Sequence, residues 1–278
     1  MNNHTHNLKI EYKISKEVFV LFAALNLMGY DDENNNRGMY WARKKLRNIL
    51  LKNNWNKKYP QLQNILKKYH PYWLLNAIFL KLLGKNINKK SVWNTYFSNL
   101  ENFSKEPLIK KTWLLFKNLQ IKESKKPISV FKKEVNGLVK FLRVSIKDSK
   151  KIVIIFNSLD AYWRGYSFKI DKTIYIVAGP GADKNRVELL RHELLHCLDL
   201  KFHIDKNILK INKKLISMGY SSKKIINCEY IVRALNIIYE SQMLNKNISK
   251  LIQKERQNFP KIKEVVGDIQ RQLKIGNL

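Results

Sequence analysis

His192-Glu193-Leu194-Leu195-His196 is the stretch from which the rest of this chain is read. In an α-helix, side chains four residues apart lie one above the other on a single face. Two imidazoles at that spacing can share one metal ion, and Glu193, beside the first of them, can take the proton of a water at that ion. Histidine occurs only six times in 278 residues, so the pattern is hard to obtain by chance. The flanks agree with a helix: Val187, Leu190, Leu194, Leu195 and Leu198 recur at helical spacing, and Asp183 or Asn185 can cap its start.

Upstream the sequence turns strand-like. Lys151–Phe156 is a short β-branched run bounded by Asn157-Ser158. Tyr162–Ile170 and Lys172–Val177 read as two further strands, joined at Asp171-Lys172 as a hairpin. Residues 178–183 then carry Gly-Pro and Pro-Gly, which breaks any regular element before the motif helix begins. Strand, breaker and helix in that order place both histidines mid-helix, just after a sheet.

A catalytic zinc takes three protein ligands and keeps one position for water. A third histidine ten residues beyond the first would serve, but residue 202 is Phe. Glu229 is the preferred third ligand. It lies in a largely apolar helix predicted over about Ser222 to Met243, and an acidic residue in such a setting is rarely buried unless paired or ligating. Asp199, Glu240 and His203 are the alternatives. Glu229, Arg233, Asn236 and Glu240 form one polar stripe, in which Arg233 stands to orient a ligand or meet a substrate carboxylate. Asp199, one turn past His196, can accept the free ring N–H of a ligand histidine.

The segment from about Lys172 to Ala234 resembles the catalytic core of gluzincin-type zinc metallopeptidases, and also uncharacterised bacterial zincin-like proteins. The likeness rests on Gly179-Pro180, on Arg191-His192-Glu193-Leu194-Leu195-His196, and on Glu229-Tyr230-Ile231-Val232-Arg233-Ala234. It covers under a third of the chain. The resemblance implies Zn²⁺ held by His192, His196 and Glu229, with Glu193 as general base.

At 278 residues the chain can bury a substantial core, and its 45% hydrophobic content is ordinary for a globular protein. No apolar run reaches the roughly 18 residues needed to span a bilayer. Val18–Gly29 follows Glu11 and Glu17 and reads as a buried helix opening near Ser15 rather than a secretory leader. Cys197 and Cys228 define no disulfide scaffold and suit free thiols in a cytoplasmic protein. Further helices are expected over Trp41–Leu51, Leu62–Leu83 with a bend or start at His70-Pro71, Trp93–Leu100, Leu108–Leu119 and Ile128–Val144. Their many aromatics are read chiefly as helix packing.

The net charge of +31 would attract nucleic acid, anionic membrane or acidic proteins. The lysines are nevertheless dispersed, with Lys122–Lys133 the densest cluster, and no zinc-finger or RNA-binding spacing accompanies them. Abundant Lys, Asn and Ile together also fit an AT-rich coding sequence.

The fold expected is α+β, mainly helical, with a small mixed sheet packed on the motif helix. Residues 1–145 would form a helical cleft wall and 146–278 a zincin-like catalytic region. The function expected is zinc-dependent hydrolysis of a peptide or protein, with metal-activated water and Glu193 as base. Tyr230, Arg233, Tyr239 and Tyr166 are the candidates to stabilise the oxyanion, and strand Tyr162–Ile170 is the edge expected to pair with extended substrate. The alternative is a basic nucleic-acid-binding protein with a vestigial metal site.

Overall fold

The structure, a computed structural model, describes residues 8–30, 38–87, 91–124, 128–143, 149–181, 183–198, 200–204, 215 and 222–275. Among the described residues it is mainly helical with a small mixed sheet, as the sequence predicts; the sheet has four strands. Two compact units divide the chain, each assembled from separated segments.

The sheet-bearing unit comprises Lys9–Ser129 and Lys151–Leu190. Its strands are β1 (Lys9–Tyr12), β2 (Lys151–Phe156), β3 (Gly165–Ile170) and β4 (Thr173–Ala178), in the order β1-β2-β4-β3. β1 and β4 flank β2 in parallel, and β3 closes antiparallel on β4. Ile152, Val153, Ile154 and Ile155 are all buried, which explains why β2 reads as an unbroken apolar run rather than an alternating one. The β3–β4 hairpin turns at Asp171, whose φ of 52° is left-handed. β3 starts later than the expected Tyr162. Trp163 has a φ of 66° and donates its N–H to the Pro180 carbonyl, which takes the chain out of the extended conformation before Gly165.

Among the described residues, the helices that precede β2 in this unit include α1 (Lys16–Leu27), α2 (Trp41–Lys52), α3 (Pro60–Lys68), α4 (Pro71–Leu82), α5 (Ser91–Lys105) and α6 (Pro107–Ser124). Ser15 caps α1 through its hydroxyl, which accepts from the Val18 N–H. The whole of α1 from Val18 to Leu27 is buried, so it is the central helix here. The apolar stretch 62–83 is two helices, because proline disfavours a helical residue before it and His70 takes an extended cap conformation.

Gly179 leaves β4 under a tight constraint. A Cβ there would lie 2.6 Å from the Ala161 carbonyl oxygen and 3.0 Å from that of Arg164. Only glycine lets the strand end pass that backbone, and the chain then enters α8 (Asp183–Cys197). α8 belongs to the sheet-bearing unit up to Leu190 and to the second unit from Arg191 on.

The second unit is built from Val130–Lys150 and Arg191–Leu278. It contains nearly all of α7 (Ile128–Leu142), the motif half of α8, and α9 (Lys223–Leu244), α10 (Ile248–Arg256) and α11 (Ile262–Ile275). α7 buries Phe131, Val135, Leu138 and Leu142, and α11 buries Ile262, Val265, Val266 and Ile269; each is one helical stripe. α9 is buried on nearly every side and packs on both α10 and α11. Ser222 caps its start and Asn245, left-handed at φ 52°, ends it. α7 meets α9 closely at Gly137, where a Cβ would come within 2.6 Å of the Tyr239 hydroxyl. Among the described residues, no helix is long and apolar enough to cross a membrane.

Candidate metal centre

One helical turn separates His192 and His196 on α8, and their rings lean together with Nε2 atoms 3.1 Å apart. Glu229 on α9 brings its carboxylate to both: Oε1 lies 3.4 Å from His192 Nε2 and Oε2 lies 3.3 Å from His196 Nε2. Among the described residues, these three form a His/Cys/Asp/Glu group able to hold a metal ion. A tetrahedral zinc with ligands at about 2.0–2.1 Å requires donors about 3.3–3.4 Å apart. The two histidines meet different oxygens of the Glu229 carboxylate, and with one donor atom from each residue the three lie within 4.8 Å of one another; two imidazoles with a carboxylate are a donor set zinc accepts. A further observation favours an electrophile here. Oε1 of Glu229 is buried and makes ion pairs, but no hydrogen bond of good geometry.

The surroundings tune these groups. Burial alone would raise the Glu229 carboxyl, but the charges of Arg233 and His192 outweigh it and hold the group well below its usual range. Burial likewise opposes a charged His196. The Cys228 sulphur at its Nδ1, and the carboxylates of Glu229 and Glu193, prevail and raise it well above the usual value. Cys228 Sγ stands 3.4 Å from that Nδ1, on the outer side of the ring rather than among the inward donors. Without metal, then, the site pairs an anionic glutamate with a proton-retaining imidazole.

Arg233 sits one turn beyond Glu229, with Nη2 at 2.7 Å from Oε1 and Nη1 at 2.6 Å from Glu255 Oε2. Its guanidinium lies 4.3 Å over the Phe259 ring. Glu193 is buried on the motif helix. On the other side, Arg191 is almost wholly buried. Its Nη1 pairs with Glu134 at 3.3 Å, its Nη2 pairs with Glu240, and its Nε donates to Asn236 Oδ1 at 2.8 Å.

The remaining residues singled out from sequence lie elsewhere. Tyr230 packs edge-on against Phe259, and its hydroxyl takes a bond from the Lys261 backbone. Tyr239 lies under the Arg191 guanidinium, and Tyr166 belongs to the sheet-bearing unit, hydroxyl to hydroxyl with Tyr30. Glu240 is committed to Arg191 and Lys246. His203 is exposed and holds Gln272 through its backbone. Asp199 lies outside the described residues. Sequence reasoning did not single out Glu134 or Glu255. Both are ordinary surface-type acids in sequence, and only the packing of α7 and α10 gives them their arginine partners. Comparison with family models, curated proteins and solved structures finds no match.

Proposed function

We propose that this protein is a zinc-dependent hydrolase and that its substrates are peptides or proteins. The observation that carries the reading is the convergence of His192, His196 and Glu229 from two helices, with separations that suit one small cation. Among the described residues three protein donors converge, the number a catalytic zinc takes, whereas a closed structural site uses four. Zinc held there would supply a Lewis acid and would lower the pKa of a water in the remaining position.

The chain's own residues then have separate tasks. His192 and His196 would hold the metal through Nε2 and Glu229 through its carboxylate. Glu193 accepts the proton of the attacking water on its carboxylate and returns it to the leaving nitrogen. Arg233, fixed by Glu255 and stacked on Phe259, orients the Glu229 carboxylate. That support is for an orienting role; Tyr230, held by Phe259 and Lys261, has less to recommend it as an oxyanion donor. Asp199 remains the proposed acceptor for a histidine ring N–H, and residues 146–278 the proposed catalytic region. The rival reading, a basic nucleic-acid-binding protein, has only the net charge of +31 in its favour.

The test is hydrolysis of a broad peptide library by zinc-loaded protein and by Glu193→Gln. The wild type should cleave. E193Q should keep its zinc and lose cleavage by about 10²-fold or more, the range of a positioned acid–base group. Cleavage at an undiminished rate by E193Q would contradict the assignment.

A further inference from the structure

Asn236 has the two ends of its amide engaged separately. Oδ1 accepts from Arg191 Nε at 2.8 Å, whereas Nδ2 donates to the Val232 carbonyl at 3.1 Å and faces His192 Nδ1 at 3.3 Å. Turning the amide over would set Nδ2 against the Arg191 N–H and Oδ1 against the Val232 carbonyl. Two bonds would be exchanged for two repulsions. Arg191 cannot yield easily, because it is 1% exposed and fixed by Glu134, Glu240 and the Tyr239 ring. An amide NH₂ donates and does not accept. The His192 Nδ1 opposite it is therefore the acceptor, and in the neutral form of the ring the proton is left to Nε2, which lies 3.1 Å from His196 Nε2 and 3.4 Å from Glu229 Oε1.

We infer that Arg191 and Asn236 are positioning residues that keep the His192 ring proton on Nε2, the atom a metal must occupy, so that metal uptake requires the Asn236 amide to leave this arrangement. The inference rests on the metal-site reading above. In the usual arrangement the outer nitrogen of a ligand histidine donates to a carboxylate or carbonyl, which leaves the inner lone pair ready for the metal. Here the outer partner is a donor. The resting site is thereby biased toward its metal-free form, and zinc affinity is lower than the three ligands alone would give. An aspartate at position 236 could accept from both Arg191 Nε and a His192 Nδ1–H, which removes the bias.

The tautomer is read by ¹⁵N NMR of imidazole-labelled, metal-free full chain at a pH where the His192 ring is neutral, its signals identified by their loss in His192→Gln. Zinc affinity of the wild type and of Asn236→Asp is measured by competition with a chromophoric chelator. The expected result is Nε2–H in the wild type, Nδ1–H in N236D, and zinc held at least about tenfold more tightly by N236D, the scale on which outer partners act. A wild-type His192 with its proton on Nδ1, or N236D binding zinc no better than wild type, would overturn the inference. If N236D does not fold, the wild-type tautomer decides alone. If neither protein binds zinc, the metal reading fails, while the tautomer still decides what Arg191 and Asn236 do.

Discussion

At the scale of single residues, the site has opposite pH preferences with and without metal. His196 is raised above its usual 6.5 in the folded, metal-free protein, so its pairing contributes stability that is complete below about pH 6.5 and is lost as pH rises through the raised value. Glu229 is lowered below 4.5, so its contribution is complete above about pH 4.5 and is lost as pH falls through the lowered value. Zinc requires unprotonated imidazole nitrogens, so its stabilisation grows as pH rises. The melting-temperature gain on adding zinc should therefore widen from about pH 6 to about pH 8; a gain that shrinks over that range would contradict protonated His196 as the metal's competitor. The three residues of this cluster were legible in the sequence because helical spacing alone aligns His192 with His196, and because Glu229 is an acid in an apolar helix. It did not carry the contact of Cys228 with His196, or of Arg233 with Glu255, because these depend on how α8, α9 and α10 lie against one another.

At the scale of elements, β2 was legible because a strand buried on both faces has no alternation to misread. β1 was not: Lys9-Ile10-Glu11-Tyr12 is four residues long, and only pairing along β2 makes it a strand. The C-terminal helices α10 and α11 were not assigned from sequence, although α10 supplies Glu255. Two substitutions test the element-level packing. Gly179→Ala forces a Cβ against two carbonyl oxygens that belong to backbone and cannot simply rotate away. It should destabilise the protein by about 1–3 kcal/mol, as overpacking does, read from urea unfolding. A neutral result would mean that the β4–α8 connection is looser than described. Arg191→Ala removes a buried cation from half-buried Glu134 and from buried Glu240, which keeps only Lys246. Its cost should be about 3–5 kcal/mol, and a loss under 1 kcal/mol would show that the network is not held together through Arg191.

At the scale of the whole molecule, the chain passes between its two compact units more than once: Lys9–Ser129, then Val130–Lys150, then Lys151–Leu190, then Arg191–Leu278. A cut near residue 145 would part β1 from the β2 it pairs with. Fragments 1–145 and 146–278 should each lack a cooperative thermal transition by circular dichroism, and a sharp transition in either would contradict the discontinuous units. The central claim is that one metal ion per chain is held by His192, His196 and Glu229. Its most direct test is zinc content, by atomic emission after dialysis against buffer with trace zinc, for the wild type and for His192→Ala, His196→Ala and Glu229→Ala. The wild type should hold about one zinc per chain and each variant close to none, because two remaining ligands bind weakly. Zinc retained at full stoichiometry by the histidine variants would contradict the account.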